Sequence, residues 1–203
     1  IKDFASGKAI LTGNPCSEKA INAKEAKKSD FGLSEDKKLV LIVMGSLGSK
    51  TVNDKMVEFV YGFRNKEYEV MFVTGNSYYD MVKTRRFPDN VKVVPFVENL
   101  PTLMKCCDLM VSRAGASTMS EICALGIPTI FIPSPYVTNN HQFKNASDLV
   151  NKNAALMIEE KDLSKTSFIK MIDDIMNDEK RYNEIKKNVS SMGITDSSSR
   201  IYE

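Results

Sequence analysis

Residues 108–135 read DLMVSRAGASTMSEICALGIPTIFIPSP: an apolar run, a turn of small residues, a helical pattern opening at Thr118 and closing at Gly126, then a second apolar run. Two apolar strands joined by a helix have to lie parallel, because a helical crossover brings the chain back to start the second strand at the same end. The turn from Arg113 to Thr118 then falls where a strand hands over to a helix whose first backbone N–H groups have no internal partner. Anions collect at such ends. Gly115, flanked by Ala114 and Ala116, lets the backbone approach a phosphate or sugar closely, and Ser117, Thr118 and Ser120 add hydroxyl groups. Glu121 has two readings on spacing alone. It can accept hydrogen bonds from a ribose diol, or close a capping box as Thr118-x-x-Glu121, and it cannot do both at once.

The same alternation runs along the chain. Apolar runs at Ala9–Thr12, Leu39–Met44, Glu69–Thr74, Val91–Pro95, Leu109–Ser112, Thr129–Pro133 and Ala155–Ile158 predict strands, several covered on both faces. Helical patterns separate them at Val52–Asn65, Tyr78–Thr84, Leu100–Cys107, Thr118–Leu125 and Gln142–Asn151. The expected fold is therefore α/β, a Rossmann-like parallel sheet with helices on both faces. After Leu163 the pattern is helical only, and Ser164–Asn177 and Glu179–Ser190 are read as covers for the core. The polar stretch Ser17–Lys38 reads as a surface helix and loop that joins this domain to whatever precedes Ile1. The start at Ile1 and the end within SSSRIYE predict a piece of something longer.

Charge balance excludes one class of partner. Lys and Arg total 28 against 26 for Asp and Glu, a formal +2, and no arginine-rich stripe interleaves with aromatics, so nucleic-acid binding is not expected. Cys16, Cys106, Cys107 and Cys123 form no Cys-x-x-Cys, and the chain has a single histidine, so the cysteines read as reduced thiols and neither a metal site nor a cofactor is assigned. No apolar run reaches the ~20 residues of a membrane span, and no signal peptide opens the chain.

Four loops follow strand C-termini, the ends that form the ligand crevice of an open parallel sheet. Met44-Gly45-Ser46-Leu47-Gly48-Ser49 is a glycine- and serine-rich lead into a helix, although neither a Walker A nor a dinucleotide fingerprint is present. Pro95–Leu100 is either a helix lead-in or a loop offering backbone groups to a flat base edge. The third is the Arg113–Thr118 turn. The fourth, Pro133 to Gln142, is long, polar and braced by two prolines, and loops of that kind are commonly functional.

Taken in order, TGNP, GS-x-GS before a helix, PFVENLP, SRAGASTMSE, GIPTIFIPSP and NNHQFKNA resemble the C-terminal half of the MurG family of N-acetylglucosaminyltransferases, over nearly the whole chain. The resemblance implies one half of a GT-B fold, the half that binds UDP-N-acetylglucosamine, in an enzyme that turns lipid I into lipid II in peptidoglycan (cell-wall) synthesis at the cytoplasmic face of the membrane. Residues 1–17 would be the trailing strand and hinge of an absent N-terminal domain, and 18–203 the donor-binding domain. The acceptor site, the membrane-contacting patch and the catalytic base belong to that other half, so no catalytic residue is expected here. The isolated piece is expected to bind donor weakly and to catalyse nothing.

Carried over by position, Val97 reads the uracil edge through its main chain, Glu121 holds the ribose, and Ala116, Ser117, Thr118, Met119 and Ser120 lie against diphosphate and sugar. Ser46 serves the other phosphate loop, and Gln142 and Asn145 bond the sugar hydroxyls. His141 reads as packing or sugar contact rather than acid–base chemistry. The family usually carries arginine two residues beyond the proline of Gly-Asn-Pro, and here that position is Ser17. Loss of a charge-assisted contact of that kind weakens binding by about 1.5–3 kcal/mol unless Lys50, Arg113 or the other half compensates. Two other readings are a half of a UDP-N-acetylglucosamine 2-epimerase and a stand-alone donor-binding subunit of a lipid-linked glycosyltransferase.

Overall fold

The computed structural model describes residues 10–45 and 49–202. Six strands, β1 (Leu39–Val43), β2 (Glu69–Val73), β3 (Val91–Val94), β4 (Leu109–Ser112), β5 (Thr129–Phe131) and β6 (Leu156–Met157), form one parallel sheet in the order β3-β2-β1-β4-β5-β6. Chain order reverses between β1 and β4, which are hydrogen-bonded neighbours with Val40 opposite Leu109 and Val43 opposite Ser112. Loops leaving the C-terminal ends of these two strands diverge there, opening the crevice in which doubly wound sheets bind ligands.

Nine helices accompany the sheet among the described residues. They are α1 (Cys16–Ile21), α2 (Lys50–Phe59), α3 (Asn76–Val82), α4 (Leu100–Cys106), α5 (Ala116–Leu125), α6 (His141–Val150), α7 (Lys165–Met176), α8 (Glu179–Ser190) and α9 (Ser197–Tyr202). The all-apolar run LVLIV of β1 is buried throughout because alternate residues serve opposite layers. Val40 and Ile42 join Met56, Phe63, Phe72 and Phe168 on one face, whereas Leu39, Leu41 and Val43 join Leu103, Ile122, Phe131 and Leu149 on the other. That two-sided burial is why the strands read as continuous apolar runs.

Three expectations need correction. Residues 10–12 form no strand, and Ala9 lies outside the described residues. The stretch from Ser17 is more than a surface linker, since Ser17 and Ala20 of α1 are buried and α1 packs along α5. α5 begins at Ala116 rather than Thr118, which matters for the site.

Candidate functional site

Helix starts in this molecule fall into two kinds. The helices α7 and α8 are closed by side chains, Ser164 accepting from the Ser167 N–H and Asp178 from the Arg181 N–H. By contrast α2, α4, α5 and α6, which follow β1, β3, β4 and β5, begin at Ser49, Asn99, Gly115 and Asn140 with no side-chain cap. In α4 Pro101 has no N–H and the Thr102 N–H donates to the Asn99 carbonyl at 3.1 Å, and in α6 the His141 N–H donates to the Thr138 carbonyl. Of α4, α5 and α6, it is therefore α5 whose first turn is least used by the described residues, with the helix dipole adding partial positive charge there.

At α5 the reason is Gly115, which occupies the N-cap position with φ −72° and ψ 145°. Having no side chain, it offers no oxygen to the amides behind it, and a Cβ there would meet nothing within 4 Å among the described residues. Ala116 and Ser117 are exposed, and Thr118, Met119 and Ser120 are half-buried. The Ser120 hydroxyl donates to the Ala116 carbonyl at 2.9 Å and so serves its own helix in this structure.

Helix α5 settles one of the two readings of Glu121. A capping box needs Thr118 as N-cap, yet Thr118 is already the third helical residue, so Glu121 lies a turn too far along to reach back to the N-cap amide. Its carboxyl is half-buried, and desolvation pushes its pKa above the ordinary carboxylate value, with Lys19 of α1 offsetting part of the shift. Lys19 was invisible to sequence reasoning, because only the packing of α1 on α5 brings it near.

The next helix braces the turn. Asn145 Nδ2 donates to the Ala114 carbonyl at 3.1 Å, and Gln142 Oε1 accepts from the Ser134 N–H at 2.9 Å. Each amide is thus anchored by one end to a crevice loop, leaving the Asn145 oxygen and the Gln142 nitrogen for other partners. A cavity of about 230 Å³ opens between Ala116, Met119, Ser120, Asn145 and the Gly13–Asn14 segment. His141 is exposed, and its Nδ1 lies 2.9 Å from the Thr138 carbonyl, which leaves it stabilising the turn before α6. Asn139 and Asn140 in that turn both have left-handed backbone, at φ 54° and 50°.

Val97, in the loop after β3, is half-buried and packs its side chain against the core, while the neighbouring Phe96 is 57% exposed. Phe96 escaped the sequence reading, since an aromatic after a strand is usually core. Ser46 lies outside the described residues.

The two cations proposed as substitutes for the family arginine behave differently. Arg113 is buried, donating to the Ile132 carbonyl at 2.8 Å and to Ser49 Oγ at 2.7 Å, and it pairs with Glu160. Lys50 is exposed and pairs with Asp54 at 3.2 Å, an i,i+4 contact worth about 0.3–0.5 kcal/mol that an anion can displace. Ser17 is 1% exposed, hydrogen-bonded to the Asn14 carbonyl at 2.7 Å and turned toward α9. Among the described residues no group of His, Cys, Asp and Glu is placed to hold a metal ion.

A Rossmann-like α/β domain with an anion-ready crevice at the β1/β4 switch point is what these features define. The chain belongs to glycosyltransferase family 28, whose C-terminal domain model matches residues 39–201. It is 43% identical over 205 residues to a UDP-N-acetylglucosamine–N-acetylmuramyl-(pentapeptide) pyrophosphoryl-undecaprenol N-acetylglucosamine transferase of Bacillus cytotoxicus, covering 98% of this chain and 56% of that protein. A Bacillus cereus transferase of the same name is 44% identical over 208 residues, covering 100% and 57%. The chain therefore spans a little over half the length of these relatives. Among solved structures, MurG of Acinetobacter baumannii superposes with TM-score 0.78 at 20% identity, covering 98% of this chain and 56% of that one. A putative UDP-N-acetylglucosamine 2-epimerase of Listeria monocytogenes gives 0.69 at 11% identity, covering 99% and 54%. Likenesses at that identity show the shared fold.

Proposed function

We propose that this chain is the donor-binding half of an inverting glycosyltransferase that moves N-acetylglucosamine from UDP to a lipid-linked acceptor, turning lipid I into lipid II, with α1 belonging to this half. The observation that carries the reading is the first turn of α5, which opens at Gly115 with no side-chain cap among the described residues and is braced by Asn145. The names of relatives at 43–44% identity support a transferase over an epimerase, whose likeness is one of fold.

In this reading the uracil lies at the Val97 loop against the exposed Phe96 ring, and Glu121 accepts the two ribose hydroxyls. The diphosphate lies over Ala116–Ser120, and Gln142 and Asn145 bond the sugar. An acceptor hydroxyl from the other half attacks the anomeric carbon as the bond to the diphosphate oxygen breaks. Negative charge then grows on the departing UDP, where the open α5 amides face it, so their stabilisation is larger in the transition state than in the ground state. The proton of the attacking hydroxyl goes to a base outside this chain.

No helix among the described residues is long and apolar enough to cross a membrane. Contact with the cytoplasmic membrane face and with the lipid acceptor falls to the other half in this reading. Calorimetric titration of the chain with UDP-N-acetylglucosamine, ADP and NAD tests it. Saturable binding of the uridine ligand alone is expected, and equal responses or none overturn the assignment.

A further inference from the structure

Arg113 sits at the C-terminal end of β4 with its guanidinium buried under the crevice, and its contacts cross most of the sheet. Nη1 donates to the Ile132 carbonyl beyond β5, while Nη2 donates to Ser49 Oγ, the residue that opens α2 after β1. The counter-charge comes from Glu160, beyond β6. Glu160 Oε1 faces Nη2 as an ion pair without a directed hydrogen bond, and Oε2 accepts from the Thr51 hydroxyl in the first turn of α2 at 3.4 Å. Backbone at Glu160 is held as well, since the Lys55 ammonium on α2 donates to its carbonyl at 2.9 Å. Three strand ends, those of β4, β5 and β6, and the start of α2 are thereby joined through a single pair.

Such a pair is a costly way to hold a fold, because both ions are taken out of water, and apolar packing of similar volume would serve stability as well. What it supplies is a fixed direction. Ser49 Oγ accepts from Arg113 and lies 3.3 Å from the Thr51 hydroxyl, so the residue that opens α2 and the first turn behind it are both tied to the pair. From this the geometry points to Glu160 as a positioning residue: acting through Arg113 and Thr51, it holds the first turn of α2 in place to meet the diphosphate. The assignment rests on the donor-binding reading, and it adds a residue more than a hundred positions from α2 that no local motif marks.

The test uses two variants, Glu160→Gln, which keeps size but removes charge, and Glu160→Asp, which keeps charge. In the ligand-free chain, hydrogen exchange is read at Asn53, whose N–H donates to the Ser49 carbonyl at 2.7 Å, and at Met119, bonded likewise to Gly115 at 2.9 Å. Glu160→Gln is expected to speed exchange at Asn53 at least tenfold with Met119 within twofold, and Glu160→Asp to recover part of the difference. UDP affinity should fall at least tenfold in Glu160→Gln while uridine affinity stays within twofold. Unchanged exchange at Asn53, a parallel rise at both amides, or equal loss of UDP and uridine overturns the positioning role. Wild-type chain that binds neither UDP nor uridine overturns the donor reading instead, and the exchange comparison then decides the Glu160 role by itself.

Discussion

The side-chain amide of Asn145 donates to the main-chain carbonyl of Ala114, 31 residues earlier, and so fixes α6 against the turn that opens α5. Ala114 is fully buried, so its carbonyl finds no water when that donor is removed. Asn145→Ala is expected to cost about 1–3 kcal/mol of stability for the unsatisfied group. If the remaining amide oxygen also meets the donor sugar, the variant loses affinity for UDP-N-acetylglucosamine more than for UDP. Gln142→Ala should share that selectivity loss. Urea unfolding and paired titrations with the two ligands separate the stability effect from the recognition effect.

Glu121 links pH to both folding and binding. Burial raises its pKa in the folded chain, so the favourable contribution is fully present below the unfolded value and is lost as pH rises through the folded one. At neutral pH the ionised carboxylate is therefore a burden on the fold, and Glu121→Gln should unfold at higher urea than wild type, the gap closing as pH falls below the ordinary 4.5. Binding runs the opposite way, because only the carboxylate accepts from both ribose hydroxyls. Uridine affinity should drop tenfold or more in Glu121→Gln, and wild-type affinity should decline on acidification from a pH above the ordinary glutamate range.

Ser17 is where the family pattern and this chain part. Its hydroxyl lies 3.4 Å from that of Ser197, and the Glu18 carboxylate accepts from the Ser198 N–H at 2.5 Å, so α1 and α9 are docked at this point. Restoring the family arginine as Ser17→Arg would place a charge in that seam instead of the crevice. The expected result is a loss of about 2–4 kcal/mol in unfolding free energy with no gain in donor affinity. Tighter donor binding at unchanged stability would mean that α9 yields and the arginine reaches the diphosphate.

Much of this architecture was legible in the sequence, for a physical reason. Strands such as LVLIV are buried on both faces, and the helices between them show three- and four-residue apolar spacing, so element order and fold class follow. Element starts were harder. Thr118-x-x-Glu121 matches a capping pattern, but α5 opens three residues earlier at a glycine that leaves no capping signal. The helix α1 is six residues long and mostly polar, and only its long-range packing on α5 makes it part of the domain. Arg113 and Glu160 lie 47 positions apart (160 less 113), a separation at which no periodicity or motif operates. The turn around Gly115 could be read because its chemistry is contiguous, whereas the ion pair beneath it could not.

Two glycines at opposite ends of α5 give a final contrast. Gly126 ends the helix in left-handed backbone, φ +66°, and a Cβ there would collide with the Ser190 side chain. Gly126→Ala should therefore lose about 1–3 kcal/mol, from left-handed strain and displacement of Ser190, while folded molecules keep their ligand affinity. At Gly115 the backbone is ordinary, and among the described residues nothing lies within 4 Å of where a Cβ would stand. Gly115→Ala gains from a stiffer unfolded chain and loses a little as a poorer N-cap, leaving stability within about 1 kcal/mol of wild type. The added methyl group, however, stands in the opening that the diphosphate would fill, so UDP affinity should fall at least tenfold. Denaturant midpoints together with UDP titrations of both variants check the contrast, and a Gly115→Ala chain that binds UDP normally would remove the ligand from the α5 N-terminus.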